Sequence, residues 1–251
     1  MKLTKLVTTS AIVLATLVGS SSAALAAEYK SNGSVEFIEN TDPTNPVDPT
    51  DPTVPVDPID PTDPEGPNPG TAGPLSIDFA SSVVFGKNKI SNANQTYFAD
   101  AQELKDGRFV PNYVQVTDTR SGNLGWTLTV QQEGGQFTNA TAANKVLTGS
   151  VIKLANGAVS SSSTSPAAVA APTITLDPSG ASSTVMSATA GSGWGTWLNY
   201  FGDVTEETIA EDEVVQKNKA ITLDVPGSTP KDAVQYKTEL TWTLSDTPGN
   251  V

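Results

Sequence analysis

Hydrophobic and polar residues alternate in short runs from Leu75 to the end of the chain. Successive side chains of a strand point to opposite faces, so this period of two predicts half-buried β-strands. The predicted strands cover residues 75–79, 113–118, 124–132, 146–154, 173–176, 220–225 and 234–246. Gly, Asn, Pro and Ser separate them, and no helical period recurs. The predicted fold class is therefore all-β, a sandwich or barrel-like antiparallel domain over residues 75–251.

Two connections between these strands carry specific predictions. Asn156-Gly157 is typical of a tight turn, and it predicts a hairpin that joins the strand before it to the residues after it. The acidic run Asp203–Glu213 has a weak helical pattern, and we interpret it as a solvated loop.

The tripeptide Trp-Thr-Leu occurs twice, at residues 126–128 and 242–244, in a chain with only four Trp. In a strand, each copy places its Trp and its Leu on one face, opposite the Thr. Two interpretations stay open. The side chains are either the framework of the core, which we favour because most such faces are core, or the contact surface for a ligand.

The second copy belongs to a longer pattern near the end of the chain. Its members are Tyr236, Leu240, Thr241, Trp242, Thr243, Leu244, Asp246, Pro248 and Asn250. This pattern, with Trp126 and Leu128 upstream, resembles the signature of the WxL family of Gram-positive cell-surface proteins over residues 75–251. The resemblance implies non-covalent attachment to the peptidoglycan wall. It also implies membrane-anchored partner proteins of the WxL-interacting type.

A second aromatic cluster lies between glycines in GSGWGTWLNYFGD. It consists of Trp194, Trp197, Tyr200 and Phe201. Because glycines interrupt the strand period, we predict a loop or a bulged edge. The cluster is a candidate binding loop for a carbohydrate or a protein, and core packing is an equally weighted alternative.

The first 26 residues are typical of a secretory signal peptide. Lys2 and Lys5 precede an apolar stretch of residues 6–18, and small residues follow, with cleavage predicted near Ala26. We therefore expect a secreted protein of the cell wall and cell surface, without direct insertion into the membrane. With no sorting signal or lipobox cysteine in the sequence, non-covalent binding is the expected means of retention.

Residues 40–74 contain eleven of the eighteen prolines, and Pro recurs at every third position from Pro43 to Pro67. Polyproline II has three residues per turn, so the repeat predicts an extended Asp/Pro-rich linker, roughly 75 Å long at about 3.1 Å per residue. A ligand for an aromatic-grooved domain is a less favoured alternative. Residues 27–39 before it form a short segment with one candidate strand.

Composition narrows the chemistry. The chain has no His and no Cys, which removes disulfides, His-based catalytic triads and most zinc sites. No calcium-loop spacing occurs. The net charge is −13, and loss of the signal peptide removes two more positive charges, so nucleic acid and anionic lipid would be repelled. We expect no enzyme activity, no cofactor and no metal site.

The sequence therefore predicts a non-enzymatic surface protein that associates with peptidoglycan through its C-terminal domain. The alternative is a subunit of a surface complex, or an adhesin, held by a membrane-anchored partner protein or a host ligand. The sequence leaves open which of the two applies, and it leaves open the glycan and the oligomeric state.

Overall fold

The computed structural model describes residues 28–210 and 213–249. The chain divides into two compact units, Met1–Phe37 and Ile38–Val251. In the first unit, residues 28–37 are exposed and have no regular secondary structure. The predicted signal peptide lies outside the described residues. The described chain includes no helix with the length and apolar character that crossing a membrane requires.

The second unit is built from β-strands, which confirms the all-β prediction. The described part of the chain has one short 3-10 turn, Glu133–Gly135, and fifteen strands. The strands are β1 (Leu75–Ala80), β2 (Gln95–Asp100), β3 (Gln102–Glu103), β4 (Phe109–Val110), β5 (Tyr113–Asp118), β6 (Trp126–Gln132), β7 (Val151–Ala155), β8 (Gly157–Ser160), β9 (Val169–Ala170), β10 (Thr173–Thr175), β11 (Ser183–Ala188), β12 (Gly195–Phe201), β13 (Val204–Ala210), β14 (Glu213–Val225) and β15 (Leu240–Ser245).

All strand pairs in the described residues are antiparallel, and none of their sheets closes into a barrel. The first sheet has the order β1-β5-β12-β8, and the third has the order β15-β6-β11-β9. The second sheet has the order β10-β7-β14-β13, with β2 also paired to β14. The strands β3 and β4 form a separate two-stranded ribbon.

One large core contains buried side chains from all three of these sheets. Val114, Trp126, Ile152, Trp197 and Ile221 are among its members. Burial of this apolar area is the main favourable contribution to folding. The chain has no Cys, so no disulfide adds to it by restricting the unfolded state.

A second, smaller cluster covers the opposite face of the first sheet, and it explains why every residue of β5 is buried. Tyr113 and Leu198 point into this second cluster, whereas Val114 and Val116 point into the large core. Val56, from the proline-rich segment, completes the cluster.

Because Val56 is buried in this cluster, the proline-rich segment is part of the fold and not the extended linker that was predicted. Residues 45–67, here called the strap, do not project as a rod: residues 45–60 lie against the first sheet and against the β3–β4 ribbon. The side-chain carbonyl of Gln115 accepts a hydrogen bond from the Val47 amide at 2.8 Å, and the Gln115 amide donates to the Asn45 carbonyl at 3.0 Å. Asp48 is buried and receives a hydrogen bond of 2.7 Å from Arg108 Nη1.

The reason is turn chemistry at the aspartates. The carboxylates of Asp48, Asp51 and Asp60 each accept hydrogen bonds from the main chain and hydroxyl of the Thr two residues later, at 2.6–3.2 Å. Asp side chains favour such turns, and here they bend the repeat into a hairpin in which Val47 pairs with Pro55. The sequence prediction weighed charge repulsion and proline geometry but not these turns.

Several predicted strands are confirmed, and others need correction. The predictions at 75–79, 113–118, 124–132 and 173–176 correspond to β1, β5, β6 and β10. The strand predicted from 146 begins only at Val151, and the one predicted from 234 begins only at Leu240. The strand predicted at 220–225 is the last part of the much longer β14.

Two predicted connections are wrong. The acidic run is not a loop, because β13 and β14 pair along it. Asn156-Gly157 does not close a hairpin either: β7 belongs to the second sheet and β8 to the first. Asn156 has a φ of 54°, a conformation that Asn tolerates, and it turns the chain from one sheet to the other.

Candidate functional site

The two Trp-Thr-Leu copies lie on neighbouring strands. The first copy opens β6 and the second is in β15, and the two strands pair in antiparallel register with Leu244 opposite Leu128 and Trp242 opposite Val130. Two distant segments of the sequence are therefore brought together as one ribbon. The sequence predicted two such strands, but not their pairing.

The first copy is part of the core. The strand β6 is central, with β15 on one side and β11 on the other, and its residues alternate between buried and half-buried. Trp126 and Leu128 are fully buried. This is the framework interpretation of the pattern, with the side chains of Trp126, Leu128 and Val130 on the inner face.

The indole of Trp126 also holds a surface turn. Its Nε1 donates a hydrogen bond to the carbonyl of Gly193 at 3.0 Å. Gly193 has a φ of 75°, and a Cβ there would lie 2.8 Å from Trp126 Nε1 and 2.3 Å from the Ala188 Cβ. Only glycine fits this close approach, so the turn that follows β11 is fixed on the buried Trp.

The second copy lies on an edge strand. In the described residues β15 pairs with β6 alone, and Trp242 and Leu244 are half-buried against the large core. Trp242 and Leu240 close a crevice of about 10 Å³, which has room for at most one water. No ligand fits beneath this copy.

The main chain of the second copy is oriented outward. The amide of Glu133 donates to the carbonyl of Glu239, so the residues of β15 that bond to β6 are Thr241, Thr243 and Ser245. The main-chain groups of Leu240, Trp242 and Leu244 consequently point to the open edge of the sheet.

The other residues of the terminal pattern support this ribbon. The Tyr236 hydroxyl donates to the Asn144 carbonyl at 2.7 Å and accepts from the Asp232 amide at 3.0 Å. Asp246 and Pro248 are exposed, and the amide of Gly249 bonds to the Ala188 carbonyl at 3.0 Å. The tail therefore lies next to the turn that Trp126 holds.

The second aromatic cluster is mostly a strand, which corrects the loop prediction. Residues 195–201 form β12, and the strand is covered on both faces. Trp197 and Phe201 are in the large core, with 4% and 2% of their surface exposed. The half-buried Tyr200 is on the other face and packs against the smaller cluster that contains Val56. Glycines on both sides of the strand concealed its period of two.

Trp194 alone of the four cluster aromatics is presented to solvent, with 45% of its surface exposed. Its main chain is fixed nevertheless. The Trp194 amide donates to Ser165 Oγ at 3.2 Å, and its carbonyl accepts from Ser163 Oγ at 2.6 Å and from Trp197 Nε1 at 3.1 Å. The result is an aromatic surface in a defined position.

A second turn joins the one that carries Trp194. The amide of Gly191 donates to the Asn123 carbonyl at 2.7 Å. Next to Asn123, Leu124 is half exposed. We call the two joined turns, residues 121–125 and 189–194, the end surface.

A buried ion pair supports the end surface from below. Arg120 makes two hydrogen bonds of 2.9 Å to the fully buried carboxylate of Asp118, and its Nη2 donates to the Gly125 carbonyl at 2.7 Å. Such bidentate pairs are geometrically specific, so they fix the turn that bears Leu124.

The described residues contain no group of three His, Cys, Asp or Glu side chains that could hold a metal ion. The most buried carboxyl groups are engaged in structure. Burial raises the pKa of Asp78 although Ser76, Thr117 and Gln115 all donate hydrogen bonds to it. The end surface offers the exposed indole of Trp194 on one turn and the half-exposed Leu124 on the other, which suit stacking and apolar contact.

Sequence reasoning missed the residues that hold Trp194. Ser163 and Ser165 belong to a low-complexity polar stretch, and Arg120 has no distinguishing local pattern. The alternating glycines of GSGWG were a usable signal, because positive φ values at every second residue, Gly191, Gly193 and Gly195, build the turn.

A family model described as "WxL domain surface cell wall-binding" matches residues 24–248. The match begins well before residue 75 and includes the strap, so it spans more of the chain than the sequence pattern indicated. No curated protein and no solved structure matches the chain.

Proposed function

The chain belongs to the WxL family of surface cell-wall-binding domains, and from this we propose that it binds peptidoglycan directly and non-covalently through its end surface. The family is one of surface binding domains and not of enzymes. The proposed role is accordingly binding without catalysis, at the cell surface after export.

One observation carries this proposal. Trp194 is exposed although three hydrogen bonds hold its main chain in place. Because the main chain that bears this side chain is already fixed, a ligand that stacks on the indole does not have to order the turn. The turn joined to it by the Gly191–Asn123 hydrogen bond adds the half-exposed Leu124 to the end surface. A sugar ring has an apolar face of C–H groups and hydroxyl groups at its edges, so it can stack on such an aromatic surface.

The two Trp-Thr-Leu copies then have an indirect role. Trp126 holds the turn of Trp194 through Gly193, and the chain tail after β15 lies beside the same turn. We propose that they position the end surface and do not themselves contact the wall.

The test is sedimentation of the purified protein with protein-free sacculi at moderate salt. We expect Trp194→Ala to lower the bound fraction at least about tenfold without a change in melting temperature, since the side chain makes few core contacts. Phe109→Ala, which removes another exposed aromatic side chain on β4, is the matched control and should bind normally.

Failure of the unaltered protein to sediment would reject direct binding and favour attachment through a partner. Equal loss in Trp194→Ala and Phe109→Ala would reject the end surface as the contact. The supernatant is expected to contain no released reducing sugar, and its release would contradict the binding role.

A further inference from the structure

A groove of about 410 Å³ lies where the strap meets the second sheet. Apolar residues dominate its lining. Its walls include Ile59 of the strap, Asp100, Ala101 and Glu103 of the β2–β3 region, and Val214 and Gln216 of β14. None of them belongs to the end surface, and the wall-binding proposal does not use them.

One wall of the groove is a fixed part of the strap. The amide of Ile59 donates to the Glu103 carbonyl at 2.9 Å, and the Gln102 side chain donates to the Ile59 carbonyl at 2.7 Å. Ser82 Oγ holds the Asp60 carboxylate at 2.8 Å. The groove is therefore preformed, and a ligand would not need to order this wall.

The opposite wall is an open strand edge. The pairing of β2 with β14 ends at Asp100 and Lys217, and the amide of Ala101 then bonds to the Gln216 carbonyl. In the part of β14 that precedes Gln216, β13 pairs along one edge, and none of the described strands pairs along the other edge. The main-chain carbonyl of Gln216 therefore points away from β13. Because main-chain groups alternate in direction along a strand, those of Val214, two residues earlier, also point away from β13.

Val214 thus presents a main-chain donor and acceptor along the groove, and 55% of its surface is exposed. A strand edge of this kind is a template for another extended chain, which supplies main-chain hydrogen bonds while alternate side chains fill pockets. Glycans offer no such ladder of paired amide and carbonyl groups.

Charge restricts the occupant further. The groove lining includes the carboxylates of Asp100 and Glu103 and no basic residue, and the Lys217 ammonium beside it is paired with Asp100. The whole chain has a net charge of −13. A second copy of this chain, or any acidic peptide, is therefore disfavoured by repulsion.

We propose that the groove binds an extended segment of a partner protein as an added strand on β14 at Val214. The segment carries apolar side chains, which contact the apolar lining of the groove, and Lys or Arg residues, which pair with the exposed Glu103 and with the acidic strap. This interaction is independent of the end surface, so a single molecule can hold the wall and the partner segment at once.

The test uses two synthetic heptapeptides, one that alternates valine with lysine and one with glutamate in place of lysine. Binding to the purified full chain is measured by fluorescence anisotropy, and amide NMR shifts locate the contact. We expect the lysine peptide to bind, to shift the amides of Ala101, Val214 and Gln216, and to bind more weakly at higher salt. We expect no binding of the glutamate peptide.

Two variants separate the edge from the charge. Val214→Pro removes the outward amide without touching the β13 ladder, and it should weaken the lysine peptide at least about tenfold. Glu103→Lys changes an exposed side chain, should leave the melting temperature unchanged, and should reverse the preference between the two peptides.

Several results would overturn the proposal. Equal binding of both peptides, shifts located outside the groove, or full binding by the folded Glu103→Lys variant would each do so. Concentration-dependent dimerisation that Val214→Pro abolishes would assign the groove to a second copy. Loss of sacculus binding in Val214→Pro, with Trp194→Ala unaffected, would assign it to the wall.

Discussion

The two Trp-Thr-Leu copies have the same sequence and lie side by side, but the fold places them in different environments. Trp126 is fully buried on a central strand, whereas Trp242 is half-buried on an edge strand whose main chain faces outward. The local sequence sets the alternation of each strand, and the position of the strand in the sheet sets how much is buried. A shared motif is therefore not a shared role.

The largest effect is expected from the buried copy. Trp126→Ala should lower the free energy of unfolding by about 3–5 kcal/mol, because it leaves a cavity in the core. It also removes the donor to Gly193 and should loosen the turn of Trp194. Thermal and denaturant unfolding measure the loss. Trp126→Phe keeps most of the packing and is the control; a wild-type melting temperature for Trp126→Ala would contradict the assignment to the core.

The edge copy should show a smaller loss. Trp242→Ala removes a half-buried side chain, and we expect about 2 kcal/mol by the same unfolding measurements. Thr243→Ala, on the exposed side of the same strand, is the control and should change stability by less than about 0.5 kcal/mol. A loss for Trp242→Ala as large as that for Trp126→Ala would show that the two environments are equivalent.

Acid should affect the strap and spare both copies, neither of which contains a titratable side chain. Burial opposes the ionisation of Asp48, but hydrogen bonds from Thr50 and Arg108 outweigh it, so its pKa is lowered. A lowered pKa in the folded state contributes stability above the unfolded value, and this contribution is lost as pH falls below about 4.

Asp48→Asn should accordingly cost about 1 kcal/mol at neutral pH and remove this part of the acid dependence. The measurement is a series of melting temperatures over pH for both proteins. Parallel curves for the variant and the unaltered protein would show that Asp48 does not anchor the strap.

The smallest expected difference is in the rate of amide hydrogen exchange, and it involves no change of sequence. The amide of Trp242 faces the open edge and should exchange with solvent at least about a hundredfold faster than that of Leu128, which lies in the central strand. Hydrogen exchange followed by NMR gives both rates. Equal protection would mean that the edge of β15 is covered in solution.

The sequence predicted those parts of the fold that depend on local pattern. The alternation around Trp126 and in Tyr113–Asp118 identified β6 and β5 nearly to the residue. It could not show that β5 is buried on both faces, because that depends on the strap. The strands β11 and β12 were missed, since glycine and small residues blur their periods.

The candidate site was predictable only in part. Trp194 was identified with three other aromatic residues, and the sequence could not say that it alone would remain exposed. Burial of Trp197 and Phe201 follows from strand pairing between segments that are far apart in the chain. The groove could not be predicted at all, because its walls come from the strap, the β2–β4 region and β14.

The folded strap has a practical consequence for dividing this chain into parts. A fragment that begins at Leu75, where the strand pattern starts, would lack Val56 and uncover Phe79, Tyr113 and Leu198 on the first sheet. Such a fragment would be prone to aggregate, and its failure would be mistaken for loss of function. Repetitive Asp-Pro-Thr sequence is commonly filtered out as low-complexity before sequences are compared. In this chain such a filter would remove a layer of the fold.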